Sequence, residues 1–316
     1  MMKTAYVFPG QGSQYIGMGA AFVEMDPLAR ELLDEADAAL GFSLRRIFLE
    51  GSSDQLRLTY YTQPAILTVS VMAYRMAIKA GFPVPDFALG HSLGEYSALV
   101  AAEVLDFPDA IRLVYLRGRF MDEAVPSGIG AMAAVLGADL QALSALCSEI
   151  ARELSEVVEI ANENCPGQVV VSGHKAAVSR LVERAKEAGA KRAIPLEVSG
   201  PFHSSLMAPA AVRLAEELAK IELRKAAFPI VANVSAEPLS DPSAIRSALI
   251  AQIEKPVLFE AGIRQLLRQN VQTFVEMGPG SVLSGLIKKI DRQAIVQRVE
   301  DQGTFAQAKA AILEVS

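Results

Sequence analysis

Several things are scarce in this sequence, and each shortage removes a class of protein. Two cysteines in 316 residues are too few for a disulfide framework or, on their own, a zinc site, so a reducing compartment is expected. No apolar stretch approaches the roughly 20 residues that span a bilayer. Only Thr4 to Phe8 separate Lys3 from Pro9-Gly10, too short for a secretory core segment. Basic residues are in deficit: 30 Lys+Arg against 36 Asp+Glu give a net charge of −6, which argues against a general binder of nucleic acid. Low-complexity tracts are absent, as are repeats of about 20–50 residues, which removes solenoids. Histidine is also scarce, with only His91, His174 and His203. If the chemistry needs an imidazole, each candidate can be weighed in turn. What is present, 51% hydrophobic and 21% charged residues, is ordinary for a globular protein. The length suggests about two structural units at roughly 150 residues each. A cytoplasmic, core-forming enzyme or binding module is expected.

The pattern along the chain is that of an α/β protein. Thr4–Phe8 reads as a buried strand closed by Pro9-Gly-Gln-Gly-Ser13, and helices are expected over 27–40 and from Pro64, at a first turn, towards Ala80. Phe87–Leu89 reads as a strand running into Gly90-His-Ser-Leu-Gly94, followed by helices over 95–105 and 109–124. The middle changes rhythm. Strand 131–136, helix 139–154, strands 157–161 and 168–172 around a turn with Asn164, helix 175–188 and strand 192–198 give β-α-β-β-α-β, a ferredoxin-like order. The expected division is therefore a large α/β domain over 1–127 and 200–316, with a small subdomain inserted over 128–199. Beginning at Met and filled by these two units, the chain is expected to be freestanding.

Gly90-His91-Ser92-Leu93-Gly94 fits G-x-S-x-G, in which a serine is exposed on a sharp strand-to-helix turn. The helix start offers the Leu93 N–H to an oxyanion. His91, next to Ser92, should point away from the hydroxyl. His174 falls at a helix start, in a solvated position. His203 lies where the chain re-enters the large domain, and the order Ser then His is that of α/β-hydrolases, so His203 is the candidate base. No carboxylate between them has an equally marked context, which leaves a Ser–His pair oriented by a neutral group as an alternative to a triad. Arg117 falls on the apolar stripe of its helix with Leu113, Val114, Phe120 and Met121. Such an arginine is either a clamp for a substrate carboxylate or half of an internal salt bridge, for instance to Glu95. Gly10-Gln11-Gly12 can offer a second oxyanion donor. Cys147 and Cys165 read as inert small residues.

Taken together, Phe8-Pro-Gly-Gln-Gly-Ser-Gln14, Thr62-Gln-Pro64, Gly90-His-Ser-Leu-Gly94, Arg117-Gly-Arg119, Asn162, Phe202-His203, Asn233, Gln252 and Gly278-Pro-Gly280 resemble the malonyl-CoA:acyl-carrier-protein transacylases and the acyltransferase domains of polyketide synthases. The resemblance runs through nearly the whole chain. It implies an α/β-hydrolase-like parallel-sheet core with a ferredoxin-like insertion. It implies Ser92 as nucleophile, His203 as base and the Gln252 backbone carbonyl as its orienting group. Gln11 and Leu93 would be the oxyanion donors, and Arg117 the grip on the malonyl carboxylate. Gln63, His91, Met121, Asn162 and Phe202 are implied around the substrate, with Phe202 favouring malonyl over methylmalonyl. The implied partners are malonyl-CoA and acyl carrier protein, with the CoA thioester as substrate and no cofactor or metal. Neither nucleic acid nor membrane is an expected partner, and a monomer is expected. Lys288, Lys289 and Arg292, and Lys186, Lys191 and Arg192, are candidate basic patches. Supply of a polyketide synthase, and a serine thioesterase or esterase, are the alternatives.

Overall fold

Tyr6, Val7, Phe8 and Ala5 are all fully buried, because the first strand runs through the middle of a sheet covered on both faces. The computed structural model describes residues 3–126 and 128–313; Ser127, the end of the first expected segment, lies outside them. Among the described residues ten strands form: β1 (Lys3–Phe8), β2 (Phe87–Gly90), β3 (Gly130–Leu136), β4 (Val158–Cys165), β5 (Gln168–His174), β6 (Arg192–Pro195), β7 (Ile230–Val231), β8 (Pro238–Leu239), β9 (Val271–Met277) and β10 (Ile295–Val299). They make two sheets. One has the order β10-β9-β1-β2-β7-β8, parallel except for β8 at its edge. The other, β4-β5-β3-β6, is antiparallel.

Alternation along β1 divides the core in two. Tyr6 and Phe8 face one apolar cluster with Leu67, Met72, Val114 and Leu214, while Ala5 and Val7 face another with Phe259, Ile263 and Leu286. The small sheet has its own core, with Leu143 and Ile150 from one helix and Val178 and Leu181 from another. It is nevertheless tied to the large sheet's side of the molecule. Val257 N–H donates to Ala161 and Val257 C=O accepts from Glu163, each at 2.9 Å, across a parallel bridge at Asn162.

Several expected boundaries move. The helix expected from Pro64 begins at Thr59 and runs to Lys79, with Pro64 inside its second turn. Proline there removes one rung of the ladder, and the long buried face of the helix outweighs that loss. β4 extends to Cys165, so Asn164 lies in the strand and Pro166-Gly167 alone make the turn. The helix expected over 95–105 ends at Ala101, with Glu103 in a left-handed conformation (φ 62°). The strand expected over 192–198 stops at Pro195. Helix Pro242–Gln252 was not anticipated. Asp241 caps it, accepting from Ser243 and Ala244 N–H at 2.9 Å, and Pro242 opens it.

Three glycines let the strand ends converge. A Cβ on Gly90 would lie 1.8 Å from the Gly94 carbonyl carbon, one on Gly94 would lie 2.0 Å from the Phe8 oxygen, and one on Gly10 would lie 2.3 Å from the His91 oxygen. The loops after β1 and β2 therefore press together at the carboxyl ends of adjacent parallel strands. That is where open α/β sheets bind ligands.

Candidate active site

Ser92 occupies the sharp turn between β2 and helix Gly94–Ala101, at φ 50°. A left-handed serine is costly, and the surrounding bonds hold it there. Its N–H donates to Asn233 Oδ1 (2.7 Å), its carbonyl accepts from Gln252 Nε2 (3.0 Å), and Asn233 Nδ2 donates to the Gly90 carbonyl (2.6 Å). Asn233 thus staples both sides of the turn.

His203, also left-handed at φ 58°, faces the serine. Its Nε2 lies 2.8 Å from Ser92 Oγ, and its Nδ1 lies 2.8 Å from the Gln252 backbone carbonyl. A carbonyl only accepts, so Nδ1 carries the proton and Nε2 presents its lone pair to the hydroxyl. Gln252 is the last residue of helix Pro242–Gln252, where carbonyls lack intrahelical donors and the dipole is negative. The helix end offers Nδ1 an acceptor in the position a carboxylate takes in a triad. Burial and the nearby Arg117 charge push the His203 imidazole down to about 3, so it is neutral at ordinary pH.

Arg117 is 1% exposed, and its partners are uncharged. Nη1 donates to Gln63 Oε1 (2.7 Å), and Nη2 donates to Gln252 Oε1 (2.8 Å) and Ser92 Oγ (3.1 Å). The guanidinium lies 5.3 Å from the Tyr96 ring centroid. No carboxylate among the described residues lies within ion-pair distance of it, and the internal salt bridge considered from sequence is absent. Gln63 reaches it because its helix packs closely on that of Arg117: a Cβ on Gly118 would lie 2.6 Å from Tyr60 Cα. Gln63 Nε2 contacts Met121 Sδ at 3.8 Å, which brings Met121 into the same wall. Glu95 is 2% exposed and accepts from Asn233 N–H (3.1 Å) and Gln252 Nε2 (2.8 Å); burial pushes it up to about 7.

The remaining candidates divide. Leu93 opens the helix, where N–H groups have no intrahelical acceptor, and Gln11 follows Gly10, packed on the His91 carbonyl. Phe202 is buried beside His203 and against Gly200. His91 turns the other way: its Nε2 lies 2.8 Å from Asn164 Oδ1 and its ring packs on Phe259, so burial lowers its basicity. Asn162 is buried at the β4–Val257 bridge. His174 is half-buried rather than solvated, with Nδ1 accepting from Val157 N–H at 2.9 Å. Both cysteines are free and buried, and the Cys147 thiol is pushed up to about 12. Lys288 is occupied by the Ala294 carbonyl (2.6 Å) and Lys289 by Gln168 (3.1 Å). Sequence reasoning gave no role to Asn164 or to Asn233 as a staple. Asn164 lies two residues beyond Asn162, a strand spacing that its placement in a turn concealed.

A neutral imidazole on a serine hydroxyl, beside a buried cation without a counterion, suits attack on a carbonyl group of a substrate carrying negative charge. That chemistry, on a parallel-sheet core, defines an enzyme of the acyltransferase class. The model of the acyl transferase domain matches residues 5–310. The malonyl CoA-acyl carrier protein transacylase of Bacillus subtilis is 49% identical over 99% of this chain and 98% of its own. The solved structure of that enzyme from Coxiella burnetii superposes with a TM-score of 0.96 at 40% identity, covering 98% of each chain. A malonyl-transacylase solved in complex with a type II polyketide synthase acyl-carrier protein gives 0.95 at 42% identity, covering 99% of each. The chain belongs to the acyl transferase domain family and, within it, to the malonyl CoA-acyl carrier protein transacylases.

Proposed function

We propose that the protein moves a malonyl group from malonyl-CoA to the phosphopantetheine thiol of acyl carrier protein by double displacement. Ser92 Oγ attacks the thioester carbonyl as His203 Nε2 takes its proton, and the oxyanion rests on the N–H groups of Leu93 and Gln11. The collapsing intermediate expels the CoA thiolate, which receives the proton from His203. The carrier thiol then gives its proton to His203 and attacks the seryl ester; the intermediate expels the Ser92 oxygen, which takes that proton back from His203. Malonyl-CoA and acyl carrier protein are the partners, and no cofactor beyond the thioester enters.

The observation that carries this reading is the position of Arg117 Nη2, 3.1 Å from Ser92 Oγ and without a carboxylate partner. An acyl group on Ser92 that ends in a carboxylate meets a cation already in place. One that ends in a methyl leaves that cation unmatched. A thioesterase has no need of such a group. Gln63, Met121 and Phe202 line the acyl site, with Phe202 filling the space of an α-methyl group; the His91 ring turns to Asn164, and Asn162 stands at the Val257 bridge.

The architecture reads as an α/β-hydrolase-like core over 1–127 and 200–316 with a ferredoxin-like insert over 128–199. The sheet order β6-β3-β5-β4 with two helices on one face supports the insert. Among the described residues no helix is long and apolar enough to cross a membrane. Two free buried cysteines fit a reducing cytoplasm. The likeness to a transacylase paired with a polyketide synthase carrier makes supply of such a synthase the second reading, with the same chemistry.

The test mixes the protein with malonyl-CoA and holo acyl carrier protein and follows the products. Malonyl-carrier should accumulate in step with CoA. Free malonate released in its place would make the protein a thioesterase.

A further inference from the structure

Glu95 is a buried carboxylate with no part in the transfer described above. Burying a carboxylate is costly, and an apolar residue would fill a core position more cheaply. Its Oε2 accepts from Gln252 Nε2 at 2.8 Å and from Asn233 N–H at 3.1 Å. Between them these two residues touch the three central groups: Gln252 holds Arg117 with its side chain and His203 with its backbone, and Asn233 holds Ser92 and Gly90.

The Gln252 amide has one donor end and one acceptor end, so what faces one end decides what the other can bind. Nε2 sits among three acceptors: Glu95 Oε2 (2.8 Å), the Ser92 carbonyl (3.0 Å) and Asn233 Oδ1 (3.2 Å). An ionised carboxylate there accepts only and repels the amide oxygen. With the Ser92 carbonyl and Asn233 Oδ1 it holds Nε2 on its side and so keeps Oε1 towards Arg117 Nη2, 2.8 Å away. Glu95, Gln252, Asn233 and Arg117 are all at most 2% exposed, so no bulk water can substitute for a lost contact.

We propose that Glu95 is a positioning residue for acyl selection, which sets Arg117 against the Ser92 hydroxyl through the Gln252 side chain and holds the serine turn through Asn233. The inference rests on the acyl-transfer reading. Glu95 also supplies negative charge near Arg117 without occupying the guanidinium, which keeps that group open to a substrate carboxylate.

Charge makes the arrangement sensitive to pH. The titratable and charged groups that face Glu95 are Arg117 from helix Phe107–Glu123, Tyr96 beside it on its own helix, and His203 across Gln252. Burial pushes Glu95 up to about 7 against the pull of Asn233, Gln252 and Arg117. When protonated it is a weaker acceptor for Gln252 Nε2, which slackens its hold on that amide and, through Oε1, on Arg117. Preference for malonyl over acetyl should then fall as pH drops through about 7, while the malonyl carboxylate stays ionised.

The experiment measures kcat/KM for malonyl-CoA and acetyl-CoA from about pH 6 to 8.5 in wild type, Glu95→Ala and Glu95→Gln, with folding followed by circular dichroism. Glu95→Ala should lower the malonyl-to-acetyl ratio about tenfold, as expected for a displaced binding group, and should add nothing in an Arg117→Ala background. Glu95→Gln, which keeps the shape and removes the charge, should make the ratio independent of pH. Equal slowing of both substrates by Glu95→Ala, or a wild-type pH dependence of the ratio in Glu95→Gln, overturns the proposal. If Glu95→Ala does not fold, the Glu95→Gln profile decides alone. Mass spectra of each variant after malonyl-CoA separate the two levels. No adduct in wild type overturns the acyl-transfer reading and this inference with it, whereas an adduct on Ser92 with an unaltered ratio overturns this inference alone.

Discussion

Replacing Arg117 with alanine should lower kcat/KM for malonyl-CoA about 10²–10³-fold while leaving acetyl-CoA within a few-fold of wild type. The estimate follows from removing one partner of a desolvated charge pair, which costs about 2–5 kcal/mol, mostly from the charge left unpaired. The loss is selective because acetyl has no carboxylate to leave stranded. Arg117 is 1% exposed and donates to Gln63, Gln252 and Ser92, so the variant also loses packing and orphans two amide oxygens. Thermal melts are therefore needed beside the kinetics. An unchanged malonyl-to-acetyl ratio in a folded variant would reduce Arg117 to a structural residue.

Replacing His203 with alanine should slow acylation of Ser92 about 10²–10⁴-fold, the usual contribution of a positioned general base. Its pH dependence has a definite sign. With the native imidazole held down to about 3, the base is already free of its proton throughout the neutral range. Acylation by wild type should thus show no histidine limb from about pH 5 to 8, and a neutral-pH limb in the selectivity ratio belongs to Glu95 instead. Stability follows the same shift. In the unfolded chain the histidine takes up a proton near its ordinary value of about 6.5, while the native state refuses it. The unfolded state binds more protons between those values, so stability falls as pH drops from about 6.5 towards 3. His203→Ala should flatten that part of the curve in denaturant titrations. A limb near 6.5 in wild-type acylation, lost in no variant but His203→Ala, would show that the free enzyme's imidazole is not held down.

Ser92, His203 and Arg117 were legible because each breaks a local pattern: a serine between glycines at a strand end, a histidine at a domain crossing, an arginine on an apolar stripe. β1 and the long helices were legible for the opposite reason, since their burial repeats with a regular period. The ends of elements were harder. Thr59–Lys79 starts before its proline because a deeply buried helix face outweighs one missing rung. Helix Pro242–Gln252 has no expectation in the sequence pattern although Asp241-Pro242 marks its start; the Gln252 carbonyl, named from the resemblance alone, sits at its C-terminal end, 2.8 Å from His203 Nδ1. A triad's third member would be a carboxylate hydrogen-bonded to His203, and no sequence context marks one between Ser92 and His203. Glu95 carries a buried carboxylate, but that group hydrogen-bonds to neither Ser92 nor His203; it lies behind the amide of a residue 157 positions away. Periodicity cannot report such a contact, because it joins elements whose only relation is the sheet order. The small sheet's β-α-β-β-α-β order was readable from alternating patterns, whereas its tie to Val257 through Ala161 and Glu163 was not.

The central claim is that Ser92 carries the acyl group between two thiols. Its most direct test is an intact-protein mass spectrum after brief exposure to malonyl-CoA, followed by peptide mapping and addition of holo acyl carrier protein. One malonyl adduct should form on Ser92, be absent from Ser92→Ala, and disappear as malonyl-carrier appears. An adduct that persists in Ser92→Ala, or transfer that proceeds while wild-type Ser92 stays unmodified, would contradict the account.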